Sequence, residues 1–514
     1  MVESDKIFGI KKEWLLNTFF FLFITLVIGN RVALFFTINI NAIDNDQVIM
    51  WLGAKHYSQG LFYEPRFYGQ DYNTLMEAIF AVPFMWCGLP VYYAVPLATH
   101  LIFLTPFLFI ASYLFIKKHK QKAILVLSIV LCMPMAYDIM NSLPRGFVTG
   151  LFFTTLFVVS LYNPHNYRLI LVNTFLAYVG FLVNQNSVLV SVPFLFYLFL
   201  INYKNKKYYS YSVIGLIIAF PIDYALNHFY KIHPEYNLYG FKHIFSLQYF
   251  TDAINHLDDR FAHIGFFFEG TCIITVLLFL TLSIYFFIKN RAWFYTFLVF
   301  MSIILFSFFS SKSADGSTWS FFSYSRMYLG IPLFFVLCVC VTSFNFNSII
   351  YIVIAVTISN MTFKAFHFNT SITYHVDEKK WTHLNLCTLK ELFSTLETYK
   401  KFCIENQSSD LVIIDNVWRA DIINYAGPAL FNDYPNTFKP SFERRRWIVE
   451  KEKTHAPERF VILTPNKDFD KIVAEKYKDI TINRIDAWGC FLISNNKRNM
   501  VNFVKYIGGA TDGF

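Results

Sequence analysis

Apolar and polar positions alternate along this chain on the scale of membrane spans. A helix needs about 20 apolar residues to cross the hydrocarbon core of a bilayer. Eleven runs approach or reach that length, at 14–37, 91–115, 123–138, 146–162, 168–183, 187–203, 210–227, 264–288, 292–310, 326–343 and 347–361. The polar breaks between them are short except at 38–90, 228–263 and 311–325. From about Ser371 the charge density rises and the apolar runs shrink to strand length. Thr388 is placed to cap a helix over Leu389–Glu405, with Leu389, Leu392, Leu396 and Tyr399 at helical spacing. Residues 411–414, 460–463 and 490–493 read as buried strands and 470–478 as a short helix between strands. The fold expected is a polytopic α-helical membrane protein of about eleven transmembrane helices over 1–361, followed by a small α/β domain over 362–514.

Composition agrees with that pattern. Of 514 residues, 55% are hydrophobic and only 15% charged, against about 25% charged in an average soluble domain. The 61 Phe and 32 Tyr supply lipid-facing bulk and interfacial anchors. The eight Cys form no CxxC pair and show no metal-ligand spacing, although Cys387, Cys403 and Cys490 permit one disulfide if the tail is extracytoplasmic.

Charge then sets the orientation. Lysines and arginines cluster at 117–122, 204–207 and 289–291 and, with Lys6, Lys11 and Lys12, fall on one side of an eleven-span arrangement. The positive-inside rule makes that side cytoplasmic. The net charge of +9 is thereby accounted for by short cytoplasmic loops, with no nucleic acid implied. The first run lacks a cleavage site and reads as a retained span. The loop 38–90 and the tail are then extracytoplasmic.

Four polar clusters fall on that outer face, where charge beside apolar sequence points to function. Asp44 and Asp46 flank Asn45 just beyond the first span. A carboxylate there suits proton abstraction from an acceptor, and equally suits capping a helix over 48–58. Asp138, Asn141, Pro144 and Arg145 lie in the turn between the third and fourth spans, as a second acid–base pair or an ordinary polar turn. Asn184, Gln185 and Asn186 interrupt apolar sequence, either as donors to a phosphate or sugar or as a hairpin held by side-chain amides. Arg326 and Tyr328 open a late span, as a phosphate ligand with its neighbour or as a snorkelling pair. Arg31, late in the first span, is either a ligand or paired within the bundle.

The arrangement resembles the GT-C membrane glycosyltransferases that use polyprenyl-phosphate sugars, a superfamily including protein O-mannosyltransferases and the lipid A aminoarabinose transferase. The resemblance covers about 14–343. Members carry an Asp-Glu motif in the first external loop, followed by an aromatic helix with an Ala and then a Gly; Asp46-Gln47, Ala54 and Gly60 fall at matching intervals. The run Phe67-Tyr68-Gly69-Gln70-Asp71-Tyr72, with Leu75, Glu77, Ala78 and Pro83, looks like a bacterial subgroup's Tyr-Gly-Gln-Asn-Tyr motif. Arg326 and Tyr328, with Pro332, are similar to a late Arg-Tyr-Leu…Pro motif. Gln47 stands where Glu is usual, Asn184 where many members carry Lys, and Met327 interrupts the Arg-Tyr pair.

The resemblance implies transfer of a sugar from a polyprenyl-phosphate-linked donor to a glycan, lipid or protein acceptor at the outer face of a bacterial cytoplasmic membrane. It implies Asp46 as general base or acceptor-orienting residue, assisted by Asp44 or Asp138. Arg326 and Tyr328 would hold the donor phosphate with Arg145, Asn184 and Asn186, and Tyr68, Gln70, Tyr72 and Glu77 would support the first loop. A divalent metal between the two aspartates is left open. The alternative from another class is a lipid or polysaccharide transporter or assembly protein without transfer activity.

Overall fold

A computed structural model describes residues 6–7, 10–67, 70–233, 236, 240, 242, 244–316, 323–343, 349–378, 386–414, 420–438, 455–486 and 489–507. The first ten helices are α1 Lys12–Asn41, α2 Asn45–Ser58, α3 Met76–Trp86, α4 Val91–Ile116, α5 Lys120–Leu131, α6 Met135–Met140, α7 Phe157–Tyr162, α8 Tyr167–Val183, α9 Val188–Asn202 and α10 Lys206–Ile232. Six helices among the described residues are long and apolar enough to cross a membrane: α1, α4, the Gln185–Asn202 segment containing α9, α10, Tyr324–Val341 and Ile349–Phe366. Five shorter apolar helices accompany them. The chain is a helical membrane protein with a small sheet near its C-terminus.

Each long helix shows which of its sides meets protein. In α1 the buried residues Leu16, Phe20, Phe23, Val27, Arg31, Leu34 and Ile38 recur every three or four positions, while Phe21, Ile28, Val32 and Phe36 face outward. That is a helical stripe against the bundle with an apolar back toward lipid. Val91–Ile116 and Tyr324–Val341 are mostly buried and form the centre, whereas α10 is exposed along most of its length.

The run at 123–138 is not one helix. Pro134 has no N–H and disfavours helix at Met133, so α5 ends at Leu131 and α6 begins at Met135. Neighbours satisfy the carbonyls freed by the break, as burial in an apolar bundle demands. The Phe267 N–H donates to the Cys132 carbonyl at 3.0 Å and the Asn360 amide to the Leu131 carbonyl at 3.0 Å.

The tail forms a five-stranded sheet in the order Asn436–Phe438, Asp410–Ile413, Phe460–Leu463, Cys490–Ser494, Thr481–Arg484. The first three strands are parallel and the last two join antiparallel. Successive side chains of a strand point to opposite faces, which is why these short strands are apolar throughout. Leu411, Ile413, Val461 and Leu463 join one core, and Val412, Phe460 and Ile462 join the other. The helix Leu389–Glu405 starts at a capping box formed by Thr388 and Glu391. The three tail cysteines are free thiols in the first of these cores, so the bridge considered for them is not formed.

That core is shared with the first loop. Val48, Met50, Trp51 and Leu52 of α2 pack with Leu392, Leu396, Ile422, Ile423 and Ala426 of the tail. Ile43 and Cys387 add an antiparallel bridge, with N–H···O distances of 2.9 and 3.0 Å. The tail thus holds α2 at the end of the bundle where α1 terminates.

Candidate active site

α2 begins at Asp44, whose carboxylate accepts from the Gln47 N–H at 3.0 Å. Capping points the first turn of α2, and with it Asp46, toward the turn that carries Arg145. Arg145 is buried and forms an ion pair with Asp44; its Nη2 lies 3.6 Å from the Asp46 carboxylate. Asp44 is fully buried, whereas the Asp46 side chain is 40% exposed. The two aspartates therefore divide the roles anticipated for them: Asp44 caps and anchors, and Asp46 is open. Burial pushes the Asp44 carboxyl up, with the Arg145 guanidinium opposing it. Burial also works against the charge on Arg145, and Asp44 and Asp46 together more than restore it.

The turn after Arg145 is shaped by Gly146, whose φ of +74° favours glycine. A Cβ there would run into the Asn73 side chain. Asn73 belongs to a hairpin of Arg66–Phe67 with Gln70–Thr74; its amide donates to the Arg145 carbonyl at 3.0 Å, and its backbone bridges to Asn184. Tyr68 lies outside the described residues. The amide of Asn184 donates to the Gly146 carbonyl at 2.8 Å. The amide of Asn186 donates to the carbonyls of Phe147 at 3.2 Å and Arg326 at 3.1 Å. These asparagines bind the wall together through backbone carbonyls.

The result is a cavity of about 540 Å³ at one end of the bundle. Asp46, Gln70, Tyr72, Arg145, Asn184, Asn186, Arg326 and Tyr328, all anticipated from sequence, line it. Phe67, Phe147, Phe181, Val188, Leu189 and Ile303 give it apolar walls. Arg326 reaches the Asp315 carboxylate at 2.9 Å, and the Tyr328 hydroxyl meets Ser307 at 2.9 Å. Glu77 stands behind the wall, fully buried, accepting from the Gly146 N–H at 3.1 Å and the Thr99 hydroxyl at 3.4 Å. Burial pushes its carboxyl up to about 8.

Lys312 also lines the cavity and escaped sequence reasoning. Its ammonium lies over the Tyr72 ring, 4.7 Å from the centroid, and 3.3 Å from Asp315. Burial, with the Arg326 guanidinium nearby, holds it below the ordinary lysine range. The available signal was a lone lysine among serines at the start of an outer loop.

Asp138 corrects an expectation. It was placed in an outer turn beside the other clusters, but the break at Pro134 puts it inside α6, fully buried and away from the cavity lining. There it accepts from Arg31 at 2.9 Å, Lys364 at 3.0 Å and Asn30 at 3.0 Å. Arg31 also stacks on Phe103, 4.0 Å from the ring centroid. Every contact of this cluster ties α1, α4, α6 and Ile349–Phe366 to one another.

Among the described residues, no group of three or more His, Cys, Asp or Glu side chains gathers in a way that would hold a metal ion. The Asp44–Asp46 pair does not fit one: the Arg145 guanidinium stands between the two carboxylates and supplies their positive charge. No protein-family model, curated protein or solved structure matches the chain.

Proposed function

We propose that the chain is a GT-C-type glycosyltransferase that moves a sugar from a polyprenyl-phosphate-linked donor to a glycan, lipid or protein acceptor at the outer face of a bacterial cytoplasmic membrane. The observation carrying this reading is the convergence of the open Asp46 carboxylate with Arg145, Lys312 and Arg326 around a single cavity at one end of the bundle, where Asp71 also lines the wall. An anionic lipid headgroup needs cations beside apolar walls, and a displacement needs a base within reach. The cavity supplies both. The reading takes the six long helices, four of the shorter apolar helices and α5 as eleven spans, with the N-terminus cytoplasmic and the tail outside by the positive-inside rule.

In this reading the acceptor oxygen or amine attacks the anomeric carbon and passes its proton to Asp46. The bond from that carbon to the phosphate oxygen breaks, and its electron pair remains on the phosphate. Arg326 meets the charge that develops there, with Arg145 behind it. Cations fixed in place before reaction act most strongly in a site screened from water.

The test supplies membranes containing the protein with undecaprenyl-phosphate carrying a labelled sugar. Label appears in a lipid, glycan or protein fraction with wild type and is lost with Asp46→Asn. Absence of transfer to every fraction, across the common hexose and pentose donors, overturns the reading.

A further inference from the structure

Asp315 carries three contacts that bear on how this same site meets its ligand. Its Oδ2 lies 2.9 Å from the Arg326 guanidinium and 3.3 Å from the Lys312 ammonium, and its carbonyl accepts from Arg326 at 2.5 Å. Arg326 and Lys312 both line the cavity. A single carboxylate oxygen therefore sits where two cations of the cavity wall converge. That is also the position a phosphate oxygen would take to engage both.

The holder of that oxygen is lightly built. Asp315 ends the one-turn helix Ser311–Ala314 and is about one-third exposed, whereas Arg326 is nearly buried. The Arg326 backbone is fixed from the other side, since its carbonyl accepts from Asn186 and its N–H donates to the Ser323 carbonyl. Lys312 is held by the Tyr72 ring. Asp315 is the most exposed member of the trio, so its carboxylate is the group placed to turn away toward solvent.

We infer that Asp315 is an internal stand-in for the ligand's phosphate, exchanging with it on Arg326 and Lys312 when a lipid phosphate enters. This rests on the glycosyltransferase reading for the identity of the lipid, and it assigns Lys312 as a second phosphate ligand. Charge supports the exchange. With Asp315 in place the trio carries one net positive charge and the position between the two cations is filled. With Asp315 withdrawn it carries two, which suits the polyprenyl phosphate left after transfer. The carboxylate keeps two buried-side cations compensated while the cavity is empty, an otherwise costly arrangement.

The experiment measures binding of undecaprenyl phosphate to the purified full-length protein in detergent, with undecaprenol and inorganic phosphate as separate arms. Asp315→Asn keeps the shape and removes the competing charge, so undecaprenyl phosphate binds about fivefold tighter, the scale of one partly exposed charge contact. Lys312→Ala binds it about fivefold more weakly. Undecaprenol is indifferent to both substitutions; if inorganic phosphate shows the same pattern as the lipid, the site takes phosphate from either source. Unchanged or weaker lipid binding by Asp315→Asn overturns the inference. Should that variant fold poorly, hydrogen exchange in wild type decides: amides at 311–316 exchange faster with undecaprenyl phosphate bound, and slower or unchanged exchange overturns the exchange of partners. Binding that follows this pattern without any sugar transfer would leave the stand-in intact and remove the transferase reading. Transfer without the Asp315→Asn effect would do the reverse.

Discussion

The Arg145 guanidinium stands 3.6 Å from the Asp46 carboxylate while it is ion-paired with Asp44. One cation thus connects a buried acid to an open one, and the two acids should fail differently. On the proposed glycosyltransferase reading, Asp46→Asn removes the general base, which is worth about 100-fold or more in rate. Its melting temperature in detergent should stay close to wild type. Asp44→Asn strips a buried charge partner and a helix cap, at a cost of about 3–5 kcal/mol for the pair alone. It should show first as a lower melting temperature. If Asp46→Asn transfers sugar at the wild-type rate, Asp46 has no part in the chemistry.

Glu77 makes stability depend on pH in a direction that can be worked out. Its carboxyl ordinarily titrates near 4.5 and is raised by burial to about 8 in the folded protein. The folded state therefore holds the proton more tightly than the unfolded state. The stability from neutral Glu77 is fully present below about 4.5 and is lost as pH rises toward about 8. The full swing is on the order of 5 kcal/mol at 1.36 kcal/mol per unit. Glu77→Gln, neutral throughout, should flatten the decline in melting temperature between pH 5 and 8. A decline as steep as wild type would mean that another group causes it.

Much of the tail was legible because its signals are local. Thr388 and Glu391 stand three residues apart, and the capping box they form starts a helix whose predicted span, Leu389–Glu405, is the one observed. The strand at Phe460–Leu463 was likewise visible as an isolated apolar run. The cavity was legible in part, since Asp46, Asn186 and Arg326 each follow or begin a span on the same side and so meet at one end of the bundle. What could not be read is pairing over distance. Lys312 acquires meaning only from Tyr72 and Arg326, and Asp138 only from Arg31 and Lys364, 107 and 226 residues away. The setting of Asp138 also depends on one proline, because Pro134 splits the run at 123–138 and starts the separate helix on which Asp138 is buried.

The Asp138 cluster yields a prediction of its own. Arg31 and Lys364 both lean on this carboxylate, and all three side chains are buried. Asp138→Asn leaves two buried cations facing a neutral amide, so the bundle should lose about 3–5 kcal/mol or fail to assemble. Lys364→Met removes one cation and leaves the Arg31–Asp138 pair, and should be tolerated with a loss of about 1 kcal/mol or less. A stable, folded Asp138→Asn protein that has lost transfer would return Asp138 to the chemistry.

Asn186 separates two ways of building the phosphate subsite proposed around Arg326. Its amide bonds two carbonyls, those of Phe147 and Arg326, that lie 39 and 140 residues away in sequence. Each such bond contributes about 1 kcal/mol net, and the buried carbonyls left behind add a penalty. Asn186→Ala should therefore lower stability by about 1–3 kcal/mol and let the Arg326 backbone shift. Affinity for the lipid phosphate then falls as a consequence of the moved guanidinium, so Arg326→Ala added to Asn186→Ala costs little further. If the amide instead donates directly to phosphate, the outcome is different: melting is unchanged, and the two substitutions weaken binding additively. The geometry favours the first result, because both described amide contacts point into the wall.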